Sequence, residues 1–193
     1  MPLDLSAQPS TVPAIVDWYQ DRGLTPRLCL PDRMLTVPPD MTGERTERVV
    51  VRGLSDIAAG DISPSVTLSS RPDDAWLRIS GGEIPVEVLT AVIDGELAFG
   101  VHGAVAVARA AVTDAPDGAR WVGISAVRWA ADADERAAAD VCESLLAWGA
   151  GRGATRGYMR VPDTGATLAA ALGFRLHHRR RYVPVRPGAW DSV

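Results

Sequence analysis

Lysine and asparagine are both missing from this 193-residue sequence, and its 20 Lys or Arg positions are all arginine. A guanidinium group stays protonated and cannot act as an amine nucleophile, so Schiff-base chemistry of the pyridoxal-phosphate kind is excluded. The phosphate-binding motifs of P-loop nucleotide hydrolases and of protein kinases also need a lysine, which excludes both classes. Without asparagine, the chain offers no site for N-glycosylation.

Cysteine is scarce, with only Cys29 and Cys142, which lie far apart among apolar neighbours and form no CxxC motif. This pattern predicts two buried, reduced thiols rather than a disulfide, which is typical of a cytosolic protein. No apolar run approaches the roughly 20 residues of a membrane span. Met1–Ser10 also lacks the basic start and apolar stretch of a signal peptide. We therefore expect a cytoplasmic protein with no membrane association.

The overall composition is that of a globular chain of one domain, or of one domain and a part, with 47% hydrophobic residues available for a core. A net charge of −4 disfavours nucleic acid as a partner, because nucleic-acid-binding proteins usually present a basic surface. The sequence leaves a homo-oligomer possible.

Histidine and arginine cluster near the end of the chain. His177 and His178 are adjacent, so on a strand they point to opposite faces and do not chelate one metal ion. Together with His102, and without HExxH or paired cysteines, they predict no metal site. The arginine-rich run Arg175–Arg186 predicts a solvated strand edge, with an anion clamp as the alternative.

Hydrophobic periodicity divides the chain into short elements. The first part predicts a helix within Pro13–Leu30 that ends at Gly23, then a strand at Arg27–Leu30, a loop over Pro31–Arg48, a strand at Val49–Val51 and a linker over Leu54–Pro64. The second part predicts strands at Val66–Ser69, Leu97–Val101, Ala104–Val112, Arg120–Trp129, Gly157–Val161 and Phe174–Val185, and helices at Asp73–Ile79, Pro85–Ile93, Glu135–Gly151 and Thr164–Leu172. This order predicts an α/β or α+β layer fold with a mixed sheet.

An internal repeat is visible at an offset of 130 residues (148 − 18), where WYQDRGLT at Trp18–Thr25 matches WGAGRGAT at Trp148–Thr155. Each copy ends a predicted helix and leads into a predicted strand. We interpret residues 1–60 as a partial N-terminal repeat with its linker, and residues 61–193 as one full domain. Chance similarity is the alternative, since arginine and glycine are abundant.

The back half of the chain resembles the GNAT superfamily of acyl-CoA-dependent N-acetyltransferases. The resemblance rests on Trp121–Trp129, the following helix, GYMRVPD at Gly157–Asp163, and TLAAALGF at Thr167–Phe174. It implies a GNAT-like fold over about Val66–Val185, with a truncated second GNAT-like unit before it. It also implies transfer of an acetyl group from acetyl-CoA to a primary amine of a small-molecule or peptide acceptor.

The resemblance also implies a site. In GNAT proteins the fourth and fifth strands part to admit the pantetheine arm, which here places it between Gly123–Trp129 and Gly157–Val161. The implied pantetheine and oxyanion groups are backbone atoms of Ala126, Val127, Arg128 and Trp129, and the implied pyrophosphate positions are Arg136, Ala137, Ala138 and Ala139.

The sequence departs from the GNAT pattern in two places. No glycine occupies the pyrophosphate loop, and Asp132, Asp134 and Glu135 add negative charge there. The tyrosine that usually protonates the thiolate is replaced by Ala169, which leaves Ser125, Tyr158 and Tyr182 as candidate substitutes. These departures favour the alternative of an inactive or repurposed GNAT scaffold that binds a ligand or a protein partner.

Two glutamates flank the start of a predicted helix where GNAT enzymes commonly bind the acceptor amine. Glu83 and Glu87 are therefore candidates for attracting or deprotonating an ammonium group, although glutamates at a helix start are often simply surface residues. We interpret Trp76, Trp121 and Trp129 as packing residues rather than a substrate cage.

Overall fold

The computed structural model describes residues 12–31, 43, 45–82, 84–92 and 95–185. Within these ranges the elements are α1 (Val12–Gln20), β1 (Arg27–Pro31), β2 (Arg45–Gly53), β3 (Val66–Ser69), α2 (Asp74–Ser80), α3 (Val86–Thr90), β4 (Glu96–His102), β5 (Ala106–Asp114), β6 (Arg120–Trp129), α4 (Glu135–Ala150), β7 (Arg156–Val161), α5 (Ala166–Ala171) and β8 (Arg175–Pro184). Both parallel and antiparallel pairs occur, so the predicted α/β class with a mixed sheet is confirmed. No helix in these ranges is long and apolar enough to cross a membrane.

The structure corrects three predicted element boundaries. The predicted loop Pro31–Arg48 is wrong at its end because β2 begins at Arg45, while residues 32–42 lie outside the described part. Helix α3 covers only Val86–Thr90, since Ala91 is already extended, and the predicted end at Ile93 is not described. The helix predicted from Thr164 begins instead with a 3-10 turn that precedes α5.

Residue packing divides the chain into two compact units, residues 1–47 with 178–193, and residues 48–177. This division differs from the predicted boundary at residue 60, and the internal repeat itself stays a prediction. In the first unit β1 pairs antiparallel with β8, from Arg27 opposite Pro184 to Pro31 opposite Arg180. Its buried core consists of Val16, Leu30, Val183 and Val185.

The first unit also contains a buried carboxylate. The Glu47 side chain is 6% exposed, and the Arg180 guanidinium donates to Glu47 Oε2 from Nη2 at 2.6 Å and from Nε at 2.9 Å. Arg45 pairs with the other oxygen, and the Tyr182 hydroxyl donates to Oε2 at 3.2 Å. Burial raises the pKa of the Glu47 carboxyl, but Arg180, Arg45 and Tyr182 together lower it further than burial raises it, and the net pKa lies below its ordinary value of 4.5.

The second unit is a sheet with helices on both faces, in the strand order β2-β7-β6-β5-β4-β3. The β6–β7 pair is parallel and the others are antiparallel. Helices α4 and α5 pack on one face, where Leu145 and Leu146 belong to the same buried core as strand residues such as Ala110. On the opposite face, Trp76 of α2 and Leu89 of α3 pack on Phe99.

Helix α4 forms because its apolar residues recur at helical spacing, and these residues are all buried: Ala138, Val141, Cys142, Leu145, Leu146 and Trp148. Gly149 allows α4 to approach β6, since a Cβ at that position would lie 2.6 Å from the Val122 Cβ.

Burial raises the pKa of the Cys142 thiol to about 12, with a smaller contribution from Glu143. Cys142 is buried and Cys29 half-buried, and both are free thiols.

Candidate functional site

Strands β6 and β7 pair over only part of their length. Their parallel register runs from Trp121 opposite Arg156 to Ile124 opposite Met159. Beyond this point β6 stays paired with β5 up to Trp129, and β7 stays paired with β2 up to Val161. The carboxyl ends of the two strands therefore share no ladder, at the strand ends where the resemblance implies a gap.

A β-bulge lies at the point where β6 leaves β7. Residues 107 and 109 of β5 oppose residues 128 and 125 of β6, so Ala126 and Val127 together face Ala108. Ala126 has a φ of 52°, in the left-handed region that costs an alanine about 1–2 kcal/mol. The Trp76 indole donates to the Ala108 carbonyl at 3.1 Å and so holds the bulge from the α2 side. Strained residues of this kind concentrate at functional sites.

A cleft opens beside the bulge, with a volume of about 330 Å³ that includes space open to solvent. It is lined by Trp76, Ser80, Ile84, Leu89, Ala126 and Arg128. The walls come from α2, α3 and the segment between them, and the floor comes from β6 at the bulge. The cleft thus combines four apolar residues with Ser80 and one charged group, Arg128.

Arg109 projects from the centre of β5 on the same face of the sheet. Its Nε donates to the Leu89 carbonyl at 2.7 Å and its Nη1 donates to Ser125 Oγ at 3.3 Å. Burial lowers the pKa of the Arg109 guanidinium, while Tyr158 raises it, and an arginine nonetheless stays protonated. Sequence reasoning missed this residue, although a lone arginine inside the apolar run Ala104–Val112 was a signal for it.

Tyr158 lies on the same face, with its ring against Gly123. A Cβ at Gly123 would lie 2.5 Å from both Cε1 and Oη of Tyr158, and the Trp121 ring meets the tyrosine edge-on at 6.3 Å. Two of the three predicted acid substitutes, Ser125 and Tyr158, therefore share the face that carries Arg109. The third, Tyr182, belongs to the first unit, where its hydroxyl contacts Glu47.

The N-terminus of α4 carries its own anion. The Asp134 carboxylate accepts a hydrogen bond from the Arg136 amide at 2.9 Å, and the Asp134 carbonyl accepts one from the Ala137 amide at 3.0 Å. The Ala137 and Ala138 side chains are buried against the core, while Arg136 is exposed and Ala139 half-buried. Only backbone groups of the predicted alanines could therefore contact a pyrophosphate.

The remaining candidates are distributed as follows. Glu87 is exposed in the first turn of α3 and does not line the cleft, and Glu83 lies outside the described residues. Trp76 is a core residue and Trp121 packs on Tyr158, as predicted. The packing role predicted for Trp129 is wrong in part, because its side chain at the end of β6 is exposed.

The amino-acid sequence is similar to one described family and to one protein of Mycobacterium tuberculosis. The family described as "Probable histone acetyltransferase Rv0428c C-terminal" matches residues 1–183. The Mycobacterium tuberculosis protein "Probable histone acetyltransferase Rv0428c" is 54% identical over 198 residues, and the chain spans 64% of that protein's length.

Two solved structures are similar at 17% identity. A GCN5-related N-acetyltransferase from Kribbella flavida has a TM-score of 0.60, with 97% of this chain and 78% of that chain covered. A protein from Novosphingobium aromaticivorans assigned to the GNAT family has a TM-score of 0.62, with 92% and 81% covered. At this identity they establish the GNAT fold and no more.

Proposed function

The chain belongs to the family of the Rv0428c C-terminal region, and from that premise we propose that it transfers an acetyl group from acetyl-CoA to a primary amine. The acceptor would be a small molecule or a peptide. The observation that carries the proposal is the parting of β6 from β7 next to the strained bulge at Ala126. The chain spans only part of the length of its relative, so the activity is proposed for these residues on their own geometry.

The fit of acetyl-CoA differs between its two ends. Acetyl-CoA would supply the acetyl group as a thioester. The strand end formed by Ala126, Val127, Arg128 and Trp129 shares no ladder with β7, so its backbone groups suit a pantetheine arm. At the other end, the Asp134 carboxylate already occupies the Arg136 amide that a diphosphate would use.

The side chains of the sheet face have separate roles in this proposal. The amine enters through the cleft between α2 and α3. As the amine nitrogen bonds to the acetyl carbon and the carbon–sulfur bond breaks, Tyr158 donates a proton to the departing sulfur and regains one from the acetylated nitrogen. Packing on Gly123 fixes the position of its hydroxyl. Arg109 is a positioning residue, because its hydrogen bonds orient Ser125 and anchor α3 through the Leu89 carbonyl.

A second function is a non-catalytic scaffold whose cleft binds another ligand or a protein. The observation that favours it is Asp134, because a carboxylate at the start of α4 repels the diphosphate of CoA. Ala169 supports it as well, since this buried alanine occupies the position where the GNAT pattern has a tyrosine.

The two functions are separated by ligand binding followed by turnover. Acetyl-CoA at about 100 times its Kd should stabilise the fold by about 2.7 kcal/mol and raise its melting temperature. Adenosine 3′,5′-bisphosphate lacks the pantetheine arm and should give a smaller shift. Release of free CoA in the presence of an amine then reports transfer. An unchanged melting curve at millimolar acetyl-CoA would rule out the proposed acetyl transfer. A rise in melting temperature without release of CoA would favour the non-catalytic scaffold.

Asp134 allows a sharper test of the cofactor end. Asp134→Asn keeps a capping oxygen, so stability should hardly change, but the lost charge should raise CoA affinity by about tenfold. Asp134→Ala should lose the cap and about 1 kcal/mol of stability. Both quantities are available from calorimetric titration and urea unfolding.

Asp117→Asn is the matched control for this test. Asp117 also accepts an amide hydrogen bond, from Ala119, but in an exposed turn of the β5–β6 hairpin. Its replacement should leave CoA affinity unchanged. Weaker CoA binding by Asp134→Asn would mean that the carboxylate assists the cofactor, contrary to the electrostatic argument.

A further inference from the structure

The face of the second unit's sheet that lies towards α2 and α3 carries several arginines. Alternate residues of a strand share a face, and the register places Arg109, Arg128, Arg156 and Arg160 on the same face as Phe99. Among the described strand residues of 48–177, none on this face is Asp or Glu. The carboxylate that β2 carries on this face, Glu47, belongs to the first unit, where Arg45 and Arg180 pair with it. The face therefore carries four positive charges, of which Arg128 lines the cleft.

These four arginines differ from others in the chain. Arg45, Arg48, Arg52, Arg120, Arg152 and Arg180 each form an ion pair with a carboxylate. None of the four on this face forms an ion pair with a described carboxylate. Arg128, Arg156 and Arg160 are exposed to solvent, and the Arg156 guanidinium lies 5.3 Å from the centre of the Trp121 ring. The described carboxylates of the second unit thus leave the charge of these four arginines unpaired.

The helices over this face do not supply the missing negative charge to the cleft. Asp73 caps α2 through the Trp76 amide at 2.7 Å, and Asp74 and Glu87 are exposed in the first turns of α2 and α3. None of the three lines the cleft, whose charged lining among the described residues is Arg128. A ligand in the cleft therefore meets the Arg128 guanidinium group and no described carboxylate.

We propose that the acceptor is an amine that also carries a carboxylate, rather than a lysine-rich peptide such as a histone tail. A guanidinium group binds a carboxylate through paired, charge-assisted hydrogen bonds, which would orient the acceptor with its amine towards the bulge. A lysine-rich peptide instead brings several positive charges against a positive surface, which slows association and weakens binding. The proposal rests on the proposed acetyl transfer and specifies the acceptor class of that site.

Three benzylamines that differ only at the para position test this acceptor class. They are 4-(aminomethyl)benzoate, benzylamine and 1,4-bis(aminomethyl)benzene, whose para groups are anionic, neutral and cationic. With acetyl-CoA and the purified chain, kcat/KM should fall in that order, with the benzoate favoured over benzylamine about fivefold for each arginine contact. A histone-tail peptide should react more slowly than the benzoate, and added salt should reduce the differences.

Variants of the arginines then show which of them cause the preference for the carboxylate-bearing amine. Arg128→Gln and Arg160→Gln should each reduce the ratio of benzoate to benzylamine kcat/KM about fivefold. Arg175→Gln, which removes an exposed arginine from β8, should leave the ratio unchanged. Equal or better turnover of the cationic amine or the histone tail, or a ratio insensitive to Arg128 and Arg160, would overturn the proposal.

Binding of the same three amines distinguishes this failure from failure of the acetyl transfer itself. Calorimetric titration needs no turnover. If the benzoate binds preferentially but no amine is acetylated, the selectivity of the cleft stands and the transferase function fails. If all three are acetylated equally, the transferase function stands and the carboxylate preference fails.

Discussion

Replacing Glu47 by alanine should lower the free energy of unfolding by about 3 kcal/mol, one of the two largest effects expected in this protein. The variant leaves the Arg180 guanidinium, whose side chain is only 15% exposed, without the carboxylate that now holds it at 2.6 Å. The Tyr182 hydroxyl would lose the same acceptor. Urea unfolding at pH 7 measures the difference directly.

The stabilisation that the Glu47 carboxylate provides should be lost only on acidification. The folded state holds the pKa of the Glu47 carboxyl below its ordinary value of 4.5, so the stabilisation is fully present above that pH. It is lost as pH falls through the lowered pKa, because the protonated acid no longer pairs with Arg180. The difference in unfolding free energy between wild type and Glu47→Gln should therefore shrink as the solution is acidified below about pH 4.5.

Asp56→Asn is the control for Glu47. Asp56 also pairs with an arginine, Arg52, but the carboxylate is exposed to solvent, where ion pairs contribute little. Its removal should leave the urea midpoint unchanged. A Glu47→Ala protein as stable as wild type would show that the buried pair offers no more stabilisation than this exposed pair.

Gly123→Ala should reduce the rate of acetyl transfer about a hundredfold, close to the loss expected for Tyr158→Phe. The new Cβ would need the space of the tyrosine ring, since it would lie 2.5 Å from Oη. The ring must move and displace its hydroxyl from its position against Gly123. Steady-state kinetics with a fixed amine measures the loss, which should lie in kcat rather than in KM for acetyl-CoA.

A double variant of Gly123→Ala and Tyr158→Phe tests whether the first substitution acts through the tyrosine hydroxyl or by disturbing the fold. If Gly123→Ala acts by displacing the hydroxyl, adding Tyr158→Phe should cause no further loss of kcat. Gly53→Ala is the matched control: this strand glycine has no atom within 4 Å of its would-be Cβ, so its replacement should leave kcat intact. If the double variant instead shows the product of the two single losses in kcat, the substitutions act independently and Gly123→Ala does not act through the tyrosine hydroxyl.

The fold was predictable where one element carries its own signal. The apolar residues of α4 recur every three or four positions, and β6 is bounded as predicted at Arg120 and Trp129. Strand β2 was not predicted in full, because Glu47 reads as a loop residue. Its partner Arg180 is 133 positions away, and such a long-range pairing leaves no local pattern.

The site was predictable only in outline. The GNAT resemblance named Ser125 and Tyr158 as candidate acids, and both lie on the face of Arg109, but it also named Tyr182, which belongs to the first unit. The negative charge before α4 was predicted, whereas the capping of α4 by Asp134 was not. The bulge at Ala126 has no sequence signature, since alanine is not a residue that favours a positive φ. The arginine face was also hidden, because it emerges only when three separate strands are aligned in register.

The close approach of Gly149 to Val122 packs α4 directly on β6, the strand that carries the bulge, and so fixes the distance between the two elements. The start of α4 and the end of β6 are the two places proposed to hold opposite ends of acetyl-CoA. The close packing of Gly149 on Val122 holds α4 against β6, so the spacing of these two places is set before any ligand arrives. A ligand must match that length, and compounds with a shorter or longer arm between diphosphate and thioester would be out of reach at one end.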